Sequence, residues 1–309
     1  MHELPQQLVN GLLLGAMYGL VAIGYTMVYG IVQLINFAHG EIFMTGGFGA
    51  LTVWLWLPSG TSMWLALPLM IVGAVIVAGL VGIGAERFAY RPLRGAPRLA
   101  PLITAIGLSL ALQQAVWAWY PDAKSSRTFP QIPGGPFSIG SAKIQTGDIF
   151  LAVASVVCVA FLGWFVQRTR VGRGMQATSQ DPDTAKLMGV NTDRVIVVAF
   201  ALGASFAGIA AVAWGLKYGE VNYRMGFLLG LKAFTAAVLG GIGNIYGAMV
   251  GGLVLGVAEA LTTAYVAEIP GMQQLGGQTW ADVWAFVLLI VVLLVRPQGL
   301  FGERVADRA

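Results

Sequence analysis

The residues that could carry acid-base, nucleophilic or metal chemistry in this chain are few and isolated. There are two histidines, His2 and His39, and a single cysteine, Cys158, which lies inside an apolar run. Neither His39 nor Cys158 has a plausible local partner for proton transfer or nucleophilic attack, and no histidine-cysteine cluster suits zinc. We therefore predict no catalytic residues, no metal site and no cofactor, and we do not expect an enzyme.

Polar side chains interrupt the apolar pattern at residues 33–47, whose sequence is QLINFAHGEIFMTGG. Asn36, His39 and Glu41 are the polar groups of this first break. Inside a bilayer such groups are costly and usually face protein or water, so we predict that they line a transport pathway or a gate. The alternative is that the segment lies beside the inner membrane surface, where Glu41 is simply solvated.

A second break at residues 238–252, VLGGIGNIYGAMVGG, resembles the first. In both, asparagine and glycine stand near an isoleucine-aromatic pair that is followed by two glycines. Transporters often contain paired halves with discontinuous helices beside the substrate path, so we predict a candidate inverted repeat and place Gly241, Gly243 and Asn244 on the pathway. The alternative is a pair of tight helical hairpins that need glycine for positive φ.

A basic, polar island at residues 167–194 separates two long apolar runs. Asp181 is a suitable N-cap, Pro182 suits the first helical position, and Gly189 can end the helix. The resulting short helix has an apolar tip, Leu187 and Met188. We interpret it as a docking helix for a cytoplasmic motor, because the chain lacks the P-loop motif G-x-x-x-x-G-K-[ST] for binding ATP itself. An amphipathic linker on the bilayer surface is the alternative.

The composition is that of an integral membrane protein. Of the 309 residues, 57% are hydrophobic and only 10% are charged, whereas about a quarter are charged in an ordinary soluble domain. We predict an all-α polytopic integral membrane protein with broken helices, forming one domain over residues 1–309 that includes the island. The apolar segments are 8–32, 42–57, 64–84, 99–119, 149–166, 195–216, 227–239, 246–267 and 283–295. Because the second and seventh are short, we expect eight or nine spans, one of them a candidate re-entrant segment.

Basic residues concentrate in three segments, which the positive-inside rule places in the cytoplasm. They are Arg87, Arg91, Arg94 and Arg98; Arg168, Arg170, Arg173, Lys186 and Arg194; and Arg296, Arg304 and Arg308. We therefore predict an N-terminus outside and a C-terminus inside, with a folded external loop at 120–148 and membrane lipid around the helices. The net charge of +4 follows from the inner loops, so no nucleic-acid partner is implied.

Glycines repeat at small-xxx-small spacing in two apolar segments. The first stripe is Gly11, Gly15 and Gly19, and the second consists of Gly247 with Gly251 and of Gly252 with Gly256. Such stripes favour close packing against another helix, which belongs either to this chain or to a partner subunit.

Four long motifs, in order, resemble a known family. They are NGLLLGAMYGLVAIGYTMVYGIVQLINFAHGE (10–41), ERFAYRPLR (86–94), MGVNTDRVI (188–196) and LKAFTAAVLGGIGNIYGAMVGGLVLGVAEAL (231–261). The chain is similar to the inner-membrane permease of bacterial branched-chain amino-acid ABC transporters, the LivH type. The resemblance implies an importer in which this subunit pairs with a second homologous permease, two ABC ATPases and a periplasmic substrate-binding protein.

By the same resemblance, the island is the coupling loop that an ATPase receives. Its implied contact residues are Ala177, Asp181, Ala185, Leu187, Met188 and Gly189. Ala177, Ala185 and Gly189 stand where the coupling signature of ABC importers has small residues, although Pro182 interrupts that signature.

The expected function is import of leucine, isoleucine and valine into the cytoplasm through the bacterial inner membrane. Related permeases serve urea and short amides, which is one alternative. A secondary transporter driven by ions is a second alternative, but it needs paired intramembrane charges, and Glu259 with Lys232 is a sparse set.

Overall fold

The computed structural model describes residues 4–97, 99–139 and 142–302, and within these ranges the chain is almost entirely helical. The α-helices are α1 Leu4–Val32, α2 His39–Trp56, α3 Met63–Gly84, α4 Leu99–Trp119, α5 Thr146–Arg168, α6 Arg170–Gln180, α7 Pro182–Leu187, α8 Thr192–Tyr218, α9 Met225–Gly240, α10 Ile245–Tyr265 and α11 Ala281–Val295. A π-helical turn, Ala85–Tyr90, and a 3-10 turn, Arg91–Leu93, continue α3. Further 3-10 turns occupy Val266–Glu268, Gln273–Leu275 and Gln278–Trp280.

Four short strands qualify the all-α prediction. They are β1 Arg127–Thr128, β2 Phe137–Ile139, β3 Ala142–Ile144 and β4 Glu220–Val221. β2 and β3 form an antiparallel hairpin, and β1 pairs antiparallel with β4 so that Arg127 lies opposite Val221. The loop predicted to fold outside the membrane is therefore ordered partly by strand pairing.

Each of the nine predicted apolar segments is a helix, and α4 has the predicted bounds. Seven helical segments of the described residues are long and apolar enough to cross a membrane. α2 and α9 are not among them, because α2 begins with polar residues and contains many glycines, whereas α9 has only 16 residues. The protein is thus a polytopic membrane protein with seven candidate spans and two further helices inside the bundle.

The bundle has two ends, which we name by what they carry. The hairpin end carries β2 and β3, and there the Gln6 side chain donates to the Lys143 carbonyl oxygen. The island end carries α6 and α7, and there the Leu300 amide donates to the Leu239 carbonyl oxygen. The island at residues 167–194 thus contains two helices, of which the sequence predicted only α7.

The centre of the bundle is built on the glycine stripes. Gly15 and Gly19 of α1 pack directly on Gly252 and Gly256 of α10, so that the two backbones meet without intervening side chains. These glycines of the two stripes therefore pack against each other within this chain and not against a partner subunit. α4, α5 and α11 lie outside this centre and expose large apolar side chains such as Leu110, Val156 and Leu294, as helices in contact with lipid or a partner subunit do.

Candidate functional site

The first break is shorter than predicted and folds back into the bundle. α1 ends at Val32, Gln33 adopts a positive φ of 54°, and α2 already begins at His39. The His39 ring lies against Gly24, eight residues before the end of α1, which corresponds to about 12 Å of helix. α2 therefore starts in the interior of the bundle and not at its surface.

The polar side chains of this region form one buried group, which we call the break cluster: Asn36, His39, Glu41, Tyr90 and Ser109. The Tyr90 hydroxyl donates to Oδ1 of Asn36 at 2.6 Å, and the Ser109 hydroxyl donates to Oε1 of Glu41 at 3.4 Å. The Tyr25 ring meets the His39 ring edge-on, with centroids 4.8 Å apart. Asn36, His39 and Glu41 are thus all buried near the start of α2, and their assignment to a pathway stays a prediction.

Glu41 is not solvated at a surface, so that alternative was wrong. Only 1% of Glu41 is exposed, because α9 crosses directly over the start of α2. Gly226 and Gly230 of α9 face Gly40, and a methyl group at Gly226 would lie 2.6 Å from Oε2 of Glu41. Glycine on both sides is what lets the two backbones approach this closely.

The break cluster is incompletely paired. Nδ2 of Asn36, Nε2 of His39 and Oε2 of Glu41 are three of the six buried side-chain polar atoms in the described residues that have no hydrogen-bond partner. A buried polar group without a partner costs roughly 1 to 3 kcal/mol, so such groups are rare and call for an explanation. Three such atoms near the start of α2 are therefore available to form hydrogen bonds with another group.

The second break has a different structure from the first. Only residues 241–244 separate α9 from α10, and Gly241 and Gly243 have φ values of 103° and 101°. Asn244 caps α10 by accepting from the Gly247 amide at 2.9 Å, and its Nδ2 reaches the Phe301 carbonyl oxygen at 3.4 Å. Gly241, Gly243 and Asn244 therefore form a tight helical hairpin, which was the alternative to a pathway break.

The two breaks lie at the same end of the bundle. Gly30, near the end of α1, is the neighbour of Gly243, and a narrow apolar crevice lies between the two breaks. It is lined by Tyr25, Tyr29, Ile35, Phe234, Ala237 and Ile242. Because α1 and α9 run in the same direction toward the island end, these two segments are related as a parallel repeat would be, and the inverted relation predicted for them was wrong.

The island presents α7 as predicted. Asp181 caps it by accepting from the amides of Asp183 and Thr184, and Gly189 follows its end with a φ of 85°. The hydrogen bonds from the Thr184 hydroxyl and amide hold the pKa of the Asp181 carboxyl below its usual value. Leu187 and Met188 are 87% and 81% exposed, which is unusual for large apolar side chains in water.

The other predicted contact residues of the island are less accessible. Ala185 is only 4% exposed and Ala177 is half-buried, since α6 and α7 fold onto each other. Leu187, Met188, Asp181 and Gly189 form the outer surface.

Sequence reasoning missed an ion cluster in which Tyr18, Lys232 and Glu259 are buried and Asp282 is partly exposed. Nζ of Lys232 lies 2.7 Å from Glu259 and 2.5 Å from Asp282, and the Tyr18 hydroxyl donates to Glu259 at 3.0 Å. The cluster joins α1, α9, α10 and α11. Glu259 and Lys232 were noted in the sequence, but they lie 27 residues apart on different helices, and no local pattern connects them.

Apolar helices of membrane-spanning length, a buried and partly unpaired polar cluster and an exposed apolar helix tip together define a polytopic membrane permease. The sequence model of the family described as "Branched-chain amino acid transport system / permease component" matches residues 7–294. The chain belongs to this family.

Individual relatives agree with this assignment. The chain is 45% identical to the high-affinity branched-chain amino acid transport system permease protein BraD of Pseudomonas aeruginosa, over 96% of this chain and 95% of the relative. It is 43% identical to the permease protein LivH of the corresponding system of Salmonella typhimurium, with the same coverage. Identity to the autoinducer 2 import system permease protein LsrC of Escherichia coli is 29%, over 50% of this chain and 44% of the relative.

A solved structure shares the fold. PsaBC from Streptococcus pneumoniae, solved in complex with Fab, superposes with a TM-score of 0.50 and covers 94% of this chain and 91% of its own. At 12% sequence identity this likeness concerns the fold alone.

Proposed function

We propose that this chain is the permease subunit of an ATP-driven importer that moves leucine, isoleucine and valine into the cytoplasm. The substrate assignment is supported by sequence identity of 43% and 45%, over nearly the whole chain, to permeases named for branched-chain amino acids. The complete complex contains a second homologous permease, two ABC ATPases and a periplasmic binding protein. ATP is hydrolysed in the ATPase subunits.

The proposed orientation in the bacterial inner membrane puts the island end in the cytoplasm and the hairpin end, with the N-terminus, in the periplasm. The support is the charge bias: among the described residues, Arg87, Arg94, Arg173 and Lys186 all lie toward the island end. Arg98, Arg304 and Arg308, which also entered this prediction, lie outside the described residues. In this orientation α2 and α9 complete the membrane domain as two short crossings, which brings the number to nine.

Leu187 and Met188 form the contact with an ATPase in this proposal. Covering the apolar tip with a partner removes its surface from water and stabilises the contact by about 25 cal/mol per Å² of apolar surface buried. The tip gives no such stabilisation while it faces water. An exposed tip of this kind suits a subunit interface better than a solvated loop.

The break cluster supplies the polar part of the proposed path. A branched-chain amino acid crosses as a zwitterion, so its ammonium and carboxylate groups must each exchange water for polar atoms. Asn36 offers an amide, His39 a ring nitrogen and Glu41 a carboxylate, and each retains an atom without a protein partner. The glycine crossing of α2 and α9 must open for these atoms to reach the substrate, and the narrow apolar crevice beside it must widen to admit the substrate side chain.

The test is uptake of radiolabelled leucine into proteoliposomes that contain both permeases, the ATPases and the binding protein. We expect uptake with ATP inside the vesicle and none with a sodium or proton gradient alone. Excess isoleucine or valine should suppress it, whereas urea and acetamide should not. Uptake driven by an ion gradient without ATP, or suppression by urea alone, would contradict the proposal.

A further inference from the structure

Charged side chains connect the island to the break cluster. Asp193 stands at the end of the island, in the first turn of α8, and pairs with Arg94 in the loop between α3 and α4. Arg94 also pairs with Glu86 in the π-helical turn Ala85–Tyr90. The last residue of this turn is Tyr90, whose hydroxyl donates to Asn36 of the break cluster at 2.6 Å. We call this sequence of contacts the relay: Asp193, Arg94, Glu86, Tyr90 and Asn36.

The centre of the relay is unusually well fixed. The Glu86 side chain is completely buried, and its carboxylate accepts from Arg94 and also from Nε and an Nη of Arg91 at 3.2 and 3.3 Å. Hydrogen bonds between ionised groups are roughly twice as strong as neutral ones. A buried carboxylate that loses such a partner keeps its desolvation cost, so Glu86 and Arg94 should move together.

The outer member of the relay, Asp193, is exposed at the island end. The Asp193 side chain is 63% exposed and that of Arg94 is 21% exposed. An exposed Arg-Asp pair typically contributes less than about 1 kcal/mol to stability, so stability is a weak reason for this contact. Its position is more informative, because any shift of the start of α8 relative to α3 must either move Arg94 or break the pair.

The inner member acts through a backbone feature. π-helical turns are rare and occur frequently at functional sites. Here the turn carries Glu86 near its beginning and Tyr90 at its end, and the Tyr90 ring packs on Phe200 of α8 with centroids 5.4 Å apart. A displacement of the turn therefore changes the position of the hydroxyl that holds Oδ1 of Asn36.

We propose that the relay couples the island to the break cluster, so that an ATPase bound at α7 changes the position of Asn36 through Asp193, Arg94, Glu86 and Tyr90. Asp193, Arg94, Glu86 and Tyr90 are positioning residues. Only Asn36 is assigned a contact with the substrate. The inference rests on the proposed function, and it adds which residues carry the movement between the two sites.

The experiment uses the complete reconstituted complex with leucine and leucine-loaded binding protein. Three quantities are measured: the amount of ATPase that copurifies with the permease, the factor by which loaded binding protein stimulates ATP hydrolysis, and leucine uptake. The variants are Asp193→Asn, Arg94→Gln and their combination. Asp122→Asn is the matched control, because Asp122 forms an exposed pair with Arg127 at 3.0 Å in the loop that follows α4 at the hairpin end.

We expect each relay variant to retain its ATPases but to lower the stimulation factor and the uptake by roughly tenfold, within the usual range of coupling between two sites. The double variant should be no worse than Arg94→Gln alone, because Arg94→Gln already removes the contact with Asp193 together with the contact with Glu86. Asp122→Asn should behave like the unaltered protein. Tyr90→Phe, which removes one hydroxyl from a well-packed ring, should show the same loss as Asp193→Asn.

Normal stimulation in Asp193→Asn or Tyr90→Phe would overturn the relay, and so would losses that multiply in the double variant. Loss of the ATPases from Asp193→Asn would also overturn it, because the residue would then belong to the docking surface. Failure of the proposed function is distinguishable: in that case the unaltered permease would retain no ATPase or take up no leucine with ATP.

Discussion

At the scale of single residues, the ion cluster and the break cluster have opposite properties. In the ion cluster, Lys232 has two carboxylate partners, and Glu259 has both Lys232 and the Tyr18 hydroxyl. In the break cluster, Asn36, His39 and Glu41 each keep an atom without a partner. A fully satisfied cluster fixes one arrangement of helices, whereas a partly satisfied one can exchange partners. We therefore assign the ion cluster to assembly and the break cluster to transport.

The first prediction concerns the ion cluster. Lys232→Met leaves the Glu259 carboxylate buried with Tyr18 as its only remaining partner in the described structure, and we expect a loss of about 3 kcal/mol in stability because the charge is then uncompensated. Lys232→Met combined with Glu259→Gln should recover most of this loss, since no buried charge remains unpaired. Thermal unfolding of the purified permease in detergent measures both.

Transport by the same double variant separates the mechanisms. An ATP-driven permease that uses these residues only for assembly should retain uptake when both charges are removed. Loss of uptake by a double variant with restored stability would instead favour coupling to an ion at Glu259, as in the secondary-transporter alternative.

The second prediction concerns Asn36. Asn36→Leu should lower the maximal uptake rate with little effect on the leucine concentration at half-maximal uptake, because the binding protein determines that concentration. Asn10→Leu is the control, since Asn10 is also hydrogen-bonded, to Gln6, but it is only partly buried and lies near the hairpin end. Normal uptake by Asn36→Leu would remove this residue from the path, and so would a failure of that variant to assemble.

At the scale of elements, the two breaks show how the same residue types serve different purposes. Both contain glycine and asparagine, yet Asn36 is buried beside Tyr90, whereas Asn244 caps a helix. The difference depends on what packs over each break: α9 covers the first, and residues 299–302 cover the second. The sequence pattern predicted the breaks themselves, but the covering elements are remote in sequence and left no local signal.

The third prediction concerns the glycines of the second break. A side chain at Gly240 would overlap the Gly247 carbonyl oxygen, whereas Gly243 has open space around it and only a positive φ of 101°. Gly240→Val should therefore abolish assembly, and Gly243→Ala should cost only the strain of the left-handed region, roughly 1 to 2 kcal/mol. Gly107→Ala is the control, because it is helical with open space and should be neutral or slightly stabilising.

Thermal unfolding and membrane expression measure these effects. Equal losses for Gly240→Val and Gly243→Ala would show that backbone strain and not helix packing dominates this turn.

Local signals determined what could be predicted of the elements. α7 was predicted correctly because Asp181, Pro182 and Gly189 act through their own backbone and their nearest neighbours. α6 was missed because it is polar overall and its buried face, Gly172, Gly174, Met175 and Thr178, contains only one large apolar residue and three weak helix formers. The pairs Arg94 with Asp193 and Lys232 with Glu259 were missed because partners 99 and 27 residues apart meet only in the folded bundle.

At the scale of the whole molecule, the proposed function requires the two ends to face different compartments. The fourth prediction tests this with single cysteines in a Cys158→Ser background. Ser138 and Ser179 are both exposed, one in the hairpin and one in α6. An impermeant maleimide added to intact cells with a permeable outer membrane should label Ser138→Cys and should label Ser179→Cys only after the inner membrane is opened. Labelling of Ser179→Cys in intact cells would reverse the orientation and remove α7 from the cytoplasm.

The whole-molecule account connects an exposed helix tip at one end with an enclosed polar cluster in the interior. α8 runs between them, since it begins at the end of the island and packs along α1, α2 and α3. Docking at α7 is the step on which both the proposed function and the relay depend. Docking is assigned to Leu187 and Met188, two large apolar side chains whose exposure a subunit contact explains.

Copurification of the ATPases with the variant Leu187→Glu/Met188→Glu, together with leucine uptake, is therefore the most direct test. We predict that this variant inserts in the membrane but retains no ATPase and takes up no leucine. The control Ile269→Glu/Met272→Glu changes two apolar residues near the hairpin end that are 46% and 40% exposed, and it should retain both properties. Normal ATPase retention and uptake by Leu187→Glu/Met188→Glu would contradict the account at its centre.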